Sequence, residues 1–332
     1  MTKGLEQVTE DEISRLSEVT FIEKGDKRII FETEIDPNLL VNLRTVDDIG
    51  ILVGKITKVT NVRQILDFLE KTNREVFQAE IKKFRVISDD ISLTVSSARS
   101  SINSKELVQE VAAFIKENWA LSFVEFEHGN FDLKIFIDGT VVFFSIRLTE
   151  RSLHNRRYKS ASLPGSLKPT VAAAMLQLAT KFTVNNKIVD NFCGSGTMLC
   201  ESVLSGNIVY GGDINAESVH VTKKNLENLR YEANANIKAL DATSSGWQGK
   251  FFDTAISNLP WDKQIKIDSI TELYEGTLRE YSRILTSQGT LCALVGKPDL
   301  FVKYAKKYFP DKSVLQIKIG LLGQTPTIVL IA

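Results

Sequence analysis

Lys187-Ile-Val-Asp-Asn-Phe-Cys-Gly-Ser-Gly196 is the stretch of sequence that decides the fold. It joins a short apolar run, a carboxylate and two glycines, and an apolar helical pattern follows from Thr197 to Gly206. A buried strand that passes through a glycine turn into a helix is typical of a sheet built from alternating strands and helices. In such sheets ligands bind at the carboxyl ends of the strands, where glycines let backbone N–H groups approach closely. The stretch therefore predicts a ligand site on a doubly wound α/β sheet.

Two acidic residues restrict the ligand. Asp190 lies directly ahead of the glycines, where it would repel a pyrophosphate but suit the cationic amino-acid end of a cofactor. The third glycine of a dinucleotide fingerprint is replaced by Leu199. A second predicted strand, 208–213, ends in Asp213, which is placed to accept hydrogen bonds from ribose hydroxyls. We therefore favour S-adenosylmethionine over a nicotinamide cofactor. We assign its site to Asp190, Phe192, Gly194, Gly196, Thr197, Asp213, Asn215, Asp241 and Ala242. Asp241 would accept from the adenine amino group, and an ordinary loop acid is the alternative for this residue.

A second motif, Ser257-Asn-Leu-Pro-Trp261, follows another predicted strand. The amino group of a purine base is a poor nucleophile, and two acceptors for its N–H bonds would aim its lone pair at a methyl donor. The Asn258 side chain and the Leu259 carbonyl offer these acceptors, and Pro260 stiffens the turn. Trp261 offers a ring on which an extruded base can stack. A strand-end turn whose aromatic ring only packs is the alternative, and the glycine loop at 190–196 favours the catalytic interpretation.

The composition excludes several classes of protein. At 332 residues, two or three domains are expected, and 43% hydrophobic with 25% charged residues is ordinary for a globular protein. No apolar run approaches a membrane span, and the amino terminus has no signal-peptide pattern. The three cysteines form no Cys-x-x-Cys pair, which argues for a reducing compartment and against a structural zinc site. We therefore expect a cytoplasmic protein with neither a metal nor a membrane partner.

The charge distribution points to a nucleic-acid contact. The net charge is zero, but residues 151–189 contain no acidic residue. Basic side chains mixed with aromatic ones are candidates for phosphate contacts, although such a stretch is also compatible with a solvated linker. The candidate RNA-binding residues are Arg151, Arg156, Arg157, Tyr158, Lys159 and Lys168.

The first 150 residues show helix and strand patterns without obvious chemistry. Residues 1 to about 75 fit a small α+β unit. Residues 76–150 fit another, with short strands at 84–87 and 91–96 and a helix that Asn103 begins, in a capping box with Glu106. Two strands flank Asp138-Gly139, which is a strong hairpin signal.

Taken in order, these features resemble the THUMP-containing RNA guanine-N2 methyltransferases. The resemblance rests on the strand–helix–hairpin unit, on the segments 151–159 and 163–174, and most specifically on 190–197 and 258–261. It implies a Rossmann-like class I methyltransferase domain preceded by small α+β domains. The implied divisions are a ferredoxin-like domain at 1–75, a THUMP RNA-binding domain at 76–150, a basic linker at 151–165 and an S-adenosylmethionine-dependent methyltransferase domain at 166–332.

The resemblance also implies an activity, namely formation of N2-methylguanosine. The expected substrate is tRNA, in the acceptor stem at position 6 or 7, and 23S ribosomal RNA is the alternative substrate. Leu259 and Trp261 depart from the family's commoner Asn-Pro-Pro-Tyr, but a backbone acceptor and an aromatic ring are kept. A non-catalytic RNA-binding subunit with the same fold is the alternative from another class. Intact glycine-loop and Asn258 motifs favour the enzyme.

Overall fold

The computed structural model describes residues 1–82, 90–119, 121–123, 131–149, 151–181, 183–231, 236–260 and 270–332. The strand expected at 84–87 and Trp261 lie outside these residues. The chain folds into two compact units, of which unit 1 comprises residues 1–34, 43–47 and 154–332. Unit 2 comprises residues 35–42 and 48–153.

The helices of the described residues are α1 (Glu6–Ile13), α2 (Pro37–Leu40), α3 (Val62–Lys82), α4 (Ser104–Asn118), α5 (Pro169–Thr180), α6 (Thr197–Leu204), α7 (Ala216–Glu227), α8 (Ile270–Ile284) and α9 (Pro298–Tyr308). The strands are β1 (Val19–Gly25), β2 (Arg28–Thr33), β3 (Gly50–Ile56), β4 (Asp90–Ala98), β5 (Ser122–Phe123), β6 (Phe131–Asp138), β7 (Val141–Arg147), β8 (Lys187–Asp190), β9 (Ile208–Asp213), β10 (Ile237–Ala239), β11 (Phe252–Asn258), β12 (Leu285–Val295), β13 (Val314–Lys318) and β14 (Thr327–Ile331). No helix in the described ranges is both long and apolar enough to cross a bilayer.

Unit 1 contains a sheet in the order β10-β9-β8-β11-β12-β14-β13. The strands β8 to β12 pair in parallel, whereas β14 runs antiparallel to β12 and to β13. From β8, the chain adds β9 and then β10 on one side of the sheet. It then adds β11 and the later strands on the other side of β8. The strand order therefore reverses between β8 and β11, which is where an open α/β sheet opens its ligand crevice. The prediction of a Rossmann-like α/β domain is confirmed.

Both faces of this sheet are covered because its central strands are apolar on both sides. On one face, α5 packs Val171 and Met175 against Ile256 of β11 and Ile328 of β14. On the other face, α8 and α9 pack against the sheet through the side chains Tyr274, Leu278, Tyr281, Phe301 and Ala305. The central strands therefore carry a separate apolar cluster on each face.

Helix α1 also belongs to unit 1. Its Val8 and the preceding Leu5 are buried in the same apolar cluster as Met175. A two-stranded sheet, β1–β2, follows it. The first 34 residues thus pack into the unit that carries the glycine loop, which differs from the expectation of a separate domain over 1–75.

Unit 2 contains a sheet in the order β3-β7-β6-β4-β5. The β6–β7 hairpin turns directly after Asp138, as predicted, and β3 pairs with β7 across a long sequence separation. Asn103 begins α4 by accepting a hydrogen bond from the Lys105 N–H at 3.0 Å. The boundary expected near residue 75 lies beside a break in α3 at Asn73, whose φ of +52° and ψ of +170° are not helical. The apolar side chains Ile65 and Leu69 before the break and Phe77 after it are all buried, and both parts of α3 belong to unit 2. The two units therefore divide the chain differently from the sequence-based expectation.

Candidate active site

The polar residues predicted at the strand ends meet at one edge of the unit 1 sheet. Asp190 ends β8, Asp213 ends β9 and Asn258 ends β11, and Asp241 follows β10 two residues later. The parallel register places Asp190 beside Gly211 and Ala239 beside Asp213. The carboxyl ends of neighbouring parallel strands thus bring these side chains to one crevice.

The glycine loop has two glycines with different roles. Gly194 has a φ of +51°, and a Cβ built there would meet no heavy atom within 4 Å. Gly196 has a φ of +78°, and a Cβ there would meet the Thr222 side chain of α7 at 3.0 Å. Both glycines are favoured by their left-handed backbone, and Gly196 is also required by the close approach of α7. Gly194 leaves open space beside the backbone.

Helix α7 holds the loop through side chains that the sequence analysis missed. The Thr222 hydroxyl donates to the Gly194 carbonyl at 2.9 Å, and Asn225 Nδ2 donates to the Ser195 carbonyl at 2.8 Å. Both side chains are buried. The signal that could have revealed them is a pair of polar residues on the apolar inner face of a helix, next to Val219 and Leu226.

A buried hydrogen-bond chain joins the ends of β8 and β11. Asp190 is 1% exposed, and its Oδ1 accepts from the Phe192 N–H at 2.9 Å and from Ser257 Oγ at 2.7 Å. Ser257 Oγ lies 2.6 Å from Tyr281 Oη, which accepts from the Asn191 N–H at 3.3 Å. Burial raises the pKa of Asp190 to about 7, although the bonds from Ser257 and Phe192 oppose the shift. The Asp190 carboxyl group therefore loses its proton near neutral pH.

The end of β9 presents both a carboxylate and an apolar surface. Asp213 accepts from the Gly194 N–H at 3.0 Å and from the Asn215 N–H at 2.9 Å. Asn215, which we assigned to the cofactor site, caps α7 by accepting from the Glu217 N–H at 2.8 Å. Between them Ile214 is 81% exposed. Such an apolar side chain beside the crevice can cover a planar ring, and the sequence analysis missed it although it directly follows a strand-end acid.

The remaining assigned cofactor residues lie at the same edge. Asp241 is exposed and accepts from the Thr243 N–H at 2.8 Å and from its hydroxyl at 2.7 Å. Ala242 is buried directly after it. Phe192 is half-buried against the apolar cluster of α8, and Thr197 is buried in the first turn of α6.

Asn258 carries the most informative polar atom of the site. Its Nδ2 donates to the Gly165 carbonyl at 3.4 Å. Its Oδ1 is buried, and no hydrogen-bond partner for it is found within the part of the chain that the structure describes. Leu259 is buried, with its N–H donated to the Leu294 carbonyl at 3.0 Å, and Pro260 is half-buried. A buried acceptor without a donor is costly, so a donor from a ligand is the natural partner of this oxygen.

Most of the candidate RNA-binding residues have partners inside unit 1, and their contact with RNA stays a prediction. Tyr158 is 3% exposed, and its hydroxyl donates to Glu201 Oε1 at 2.7 Å. Arg156 Nε donates to the same carboxylate at 3.1 Å, and Lys168 pairs with Asp47 at 2.8 Å. Lys159 Nζ donates to the Leu167 carbonyl at 3.2 Å, and burial lowers its pKa. Two of the six candidates are exposed, Arg151 and Arg157.

The family match to known proteins covers the part of the chain that contains the candidate site. Residues 156–323 match the protein family described as RMKL-like, methyltransferase domain. The Bacillus subtilis protein YpsC is 27% identical over 213 residues, which are 63% of this chain and 54% of that protein. The tRNA (guanine(6)-N2)-methyltransferase of Thermus thermophilus is 33% identical over 95 residues, 28% of each chain. The chain thus spans about half of the length of YpsC and less of the Thermus enzyme.

A solved structure resembles the chain over its whole length. TrmN from Thermus thermophilus superposes with a TM-score of 0.78 at 18% identity. The match covers 100% of this chain and 97% of that one. At 18% identity, this similarity shows that the two chains share a fold, and it shows no more than that.

Proposed function

The chain belongs to the family of RMKL-like methyltransferase domains, and we propose that it uses S-adenosylmethionine to methylate the N2 amino group of a guanine in cytoplasmic tRNA. The observation that carries this proposal is the buried Asn258 Oδ1, an acceptor without a donor among the described residues, beside the glycine loop. The nucleic acid is tRNA in this proposal because the similar Thermus thermophilus protein acts on tRNA by its name. Position 6 or 7 of the acceptor stem is the proposed target, with unit 2 as a THUMP module that grips the RNA.

The crevice fits a cofactor with an amino-acid end and a ribose. In this proposal the ligand would occupy the open space beside Gly194. Asp213, at the end of β9, would accept hydrogen bonds from the ribose hydroxyls. Exposed Ile214 can cover the adenine ring, and Asp190 lies ahead of the loop for the cationic end. When bound, S-adenosylmethionine supplies an activated methyl group.

The chain's own contribution to the reaction is positioning. Asn258 Oδ1 would accept one N–H of the guanine amino group, and the Leu259 carbonyl would accept the other. With both N–H bonds held, the nitrogen lone pair is directed at the methyl group. The N–CH3 bond would form as the S–CH3 bond breaks, S-adenosylhomocysteine would leave, and the amino nitrogen would lose one proton to solvent. A strong general base is not required, because acceptors fixed in advance stabilise the developing positive charge on the amino nitrogen.

The proposal is tested by transfer of labelled methyl groups to unmodified tRNA and to ribosomal RNA, followed by mass spectrometry of the nucleosides. N2-methylguanosine in tRNA is the expected product. The same nucleoside in ribosomal RNA alone would reassign the substrate, and a ring- or ribose-methylated nucleoside would contradict the amino-group chemistry. Cofactor binding without transfer to either RNA would favour the non-catalytic subunit.

The titration of Asp190 gives a prediction about pH. If its carboxylate binds the cationic end of the cofactor, affinity should rise as pH increases from about 5.5 to 7.5, by up to tenfold per unit below the pKa of about 7. Because the folded-state pKa is raised from 3.8, the same group stabilises the fold fully below pH 3.8 and loses this contribution as pH rises through about 7. Calorimetric titrations with the cofactor and denaturant melts check both trends. Asp190→Asn should show neither, and an unaltered affinity profile in that variant would remove Asp190 from the cofactor site.

The exposed arginines give a prediction about salt. Arg151→Ala with Arg157→Ala should weaken binding to any tRNA sequence and flatten the dependence of log K on log salt by about 0.9 for each phosphate that is no longer neutralised. Lys168→Ala should leave the slope near that of the wild type, because its ammonium is paired with Asp47. Filter binding from low to high salt measures the slopes. Equal slopes in the wild type and the double variant would show that these arginines are only solvated.

A further inference from the structure

The segment at residues 163–166 forms a tight turn beside the site. The Ser166 N–H donates to the Leu163 carbonyl at 3.0 Å, and Gly165 has a φ of +79°. Leu163-Pro164-Gly165-Ser166 thus matches a type II turn, in which proline fits the first corner and glycine supplies the positive φ of the second. The turn is therefore stiff, and the direction of the Gly165 carbonyl is defined.

That carbonyl favours one orientation of the Asn258 amide. An amide can exchange its oxygen and nitrogen by rotating half a turn about its last side-chain bond. A carbonyl only accepts hydrogen bonds, so the arrangement with Asn258 Nδ2 toward Gly165, at 3.4 Å, makes a bond. The reversed arrangement would bring two acceptor oxygens together. The turn thus favours the orientation in which Oδ1 is offered to a substrate amino group.

The next residue ties the same turn to the cofactor loop. Ser166 Oγ lies 2.7 Å from Ser195 Oγ and 3.4 Å from Thr197 Oγ1. Ser195 is itself held from the other side, because its carbonyl accepts from Asn225 Nδ2 at 2.8 Å. Leu167 continues the segment into the apolar core. The turn is therefore anchored to the loop and to the core, and it touches the catalytic amide through one carbonyl.

We propose that the turn at 163–166 is a strap that positions Asn258, with the Gly165 carbonyl and the Ser166 hydroxyl as its positioning groups. This inference rests on the proposed function, because it assigns the strap to the same transfer step. The strap sets the orientation of the catalytic amide relative to the bound methyl donor. Removing the Ser166 tie should lower the rate of transfer about tenfold, which corresponds to about 1.4 kcal/mol, with little change in the KM for RNA.

A double-mutant cycle separates positioning from independent effects. Ser166→Ala, Asn258→Ala and the double variant are compared in single-turnover transfer from S-adenosylmethionine to unmodified tRNA. Ser166→Ala should slow the wild type but add nothing in the Asn258→Ala background, and Ser166→Thr should restore most of the rate. Additive losses, or a raised cofactor KM with an unchanged rate, would overturn the strap proposal.

Variants at Gly165 give a second test that does not depend on residual activity of Asn258→Ala. Asparagine tolerates the positive φ of this position and valine does not. Gly165→Asn should stay within about threefold of the wild-type rate, and Gly165→Val should lose more than about tenfold at equal cofactor affinity. Equal rates for the two variants would overturn the proposal. A wild type that transfers no methyl group would instead contradict the proposed function.

Discussion

Asn258→Ala is expected to lower the single-turnover rate of methyl transfer about a hundredfold or more, as when one preorganised hydrogen-bond group is removed. The variant removes the acceptor that would hold one N–H of the substrate amino group, which matters most when positive charge develops on that nitrogen. Cofactor affinity should stay unchanged, because the loop residues at 190–196 are untouched. The measurement is transfer of labelled methyl to unmodified tRNA at saturating cofactor, with the affinity taken from calorimetry.

Two comparisons sharpen this result. Trp261→Ala should weaken capture of an extruded base, whereas Trp261→Phe keeps a ring for stacking and should be milder. A rate for Asn258→Ala equal to that of the wild type would show that the motif at 258–261 is not the catalytic site. A large loss of cofactor affinity in the same variant would assign Asn258 to cofactor binding instead.

The strand-end residues could be predicted because their positions follow from local patterns. The apolar run before Asp190 predicts a buried strand, the glycines predict a turn, and the helical pattern after Thr197 predicts the return crossover. Parallel strands connected by helices must place their carboxyl ends at one edge. The sequence alone therefore predicts that Asp190, Asp213 and Asn258 share a crevice.

Partners distant in sequence could not be predicted in this way. Glu201 lies on an apolar helix and gave no signal, yet its carboxylate determines where Tyr158 and Arg156 point. The strand β3 pairs with β7 although about 90 residues separate them, so the division of the chain depends on long-range pairing rather than on composition. The position of Leu5 and α1 could not be predicted either. Their short amphipathic pattern is compatible with a separate domain and with the apolar core of unit 1, in which they are buried.

The buried carboxylate of Glu201 is the centre of a network that fixes the beginning of the methyltransferase half. It is 0% exposed on α6 and accepts from Tyr158 Oη at 2.7 Å, from Arg156 Nε at 3.1 Å and from Arg44 Nε at 2.9 Å. A second bond joins it to Arg44 Nη2. One acid thus serves two guanidinium groups and a buried hydroxyl at the helix that follows the glycine loop.

Glu201→Ala is therefore expected to lower the free energy of unfolding by about 3–5 kcal/mol, because it removes the buried acceptor that two partly buried arginines and the Tyr158 hydroxyl share. Glu201→Gln keeps an acceptor oxygen and should lose less. Denaturant unfolding followed by circular dichroism gives the values. The matched control is Glu275→Ala on α8, whose carboxylate pairs with Lys307 at 2.6 Å on the surface and should cost little. Similar losses at the two glutamates would contradict a special role for the buried network, since Glu201 holds two guanidinium groups out of water and Glu275 holds one lysine at the surface.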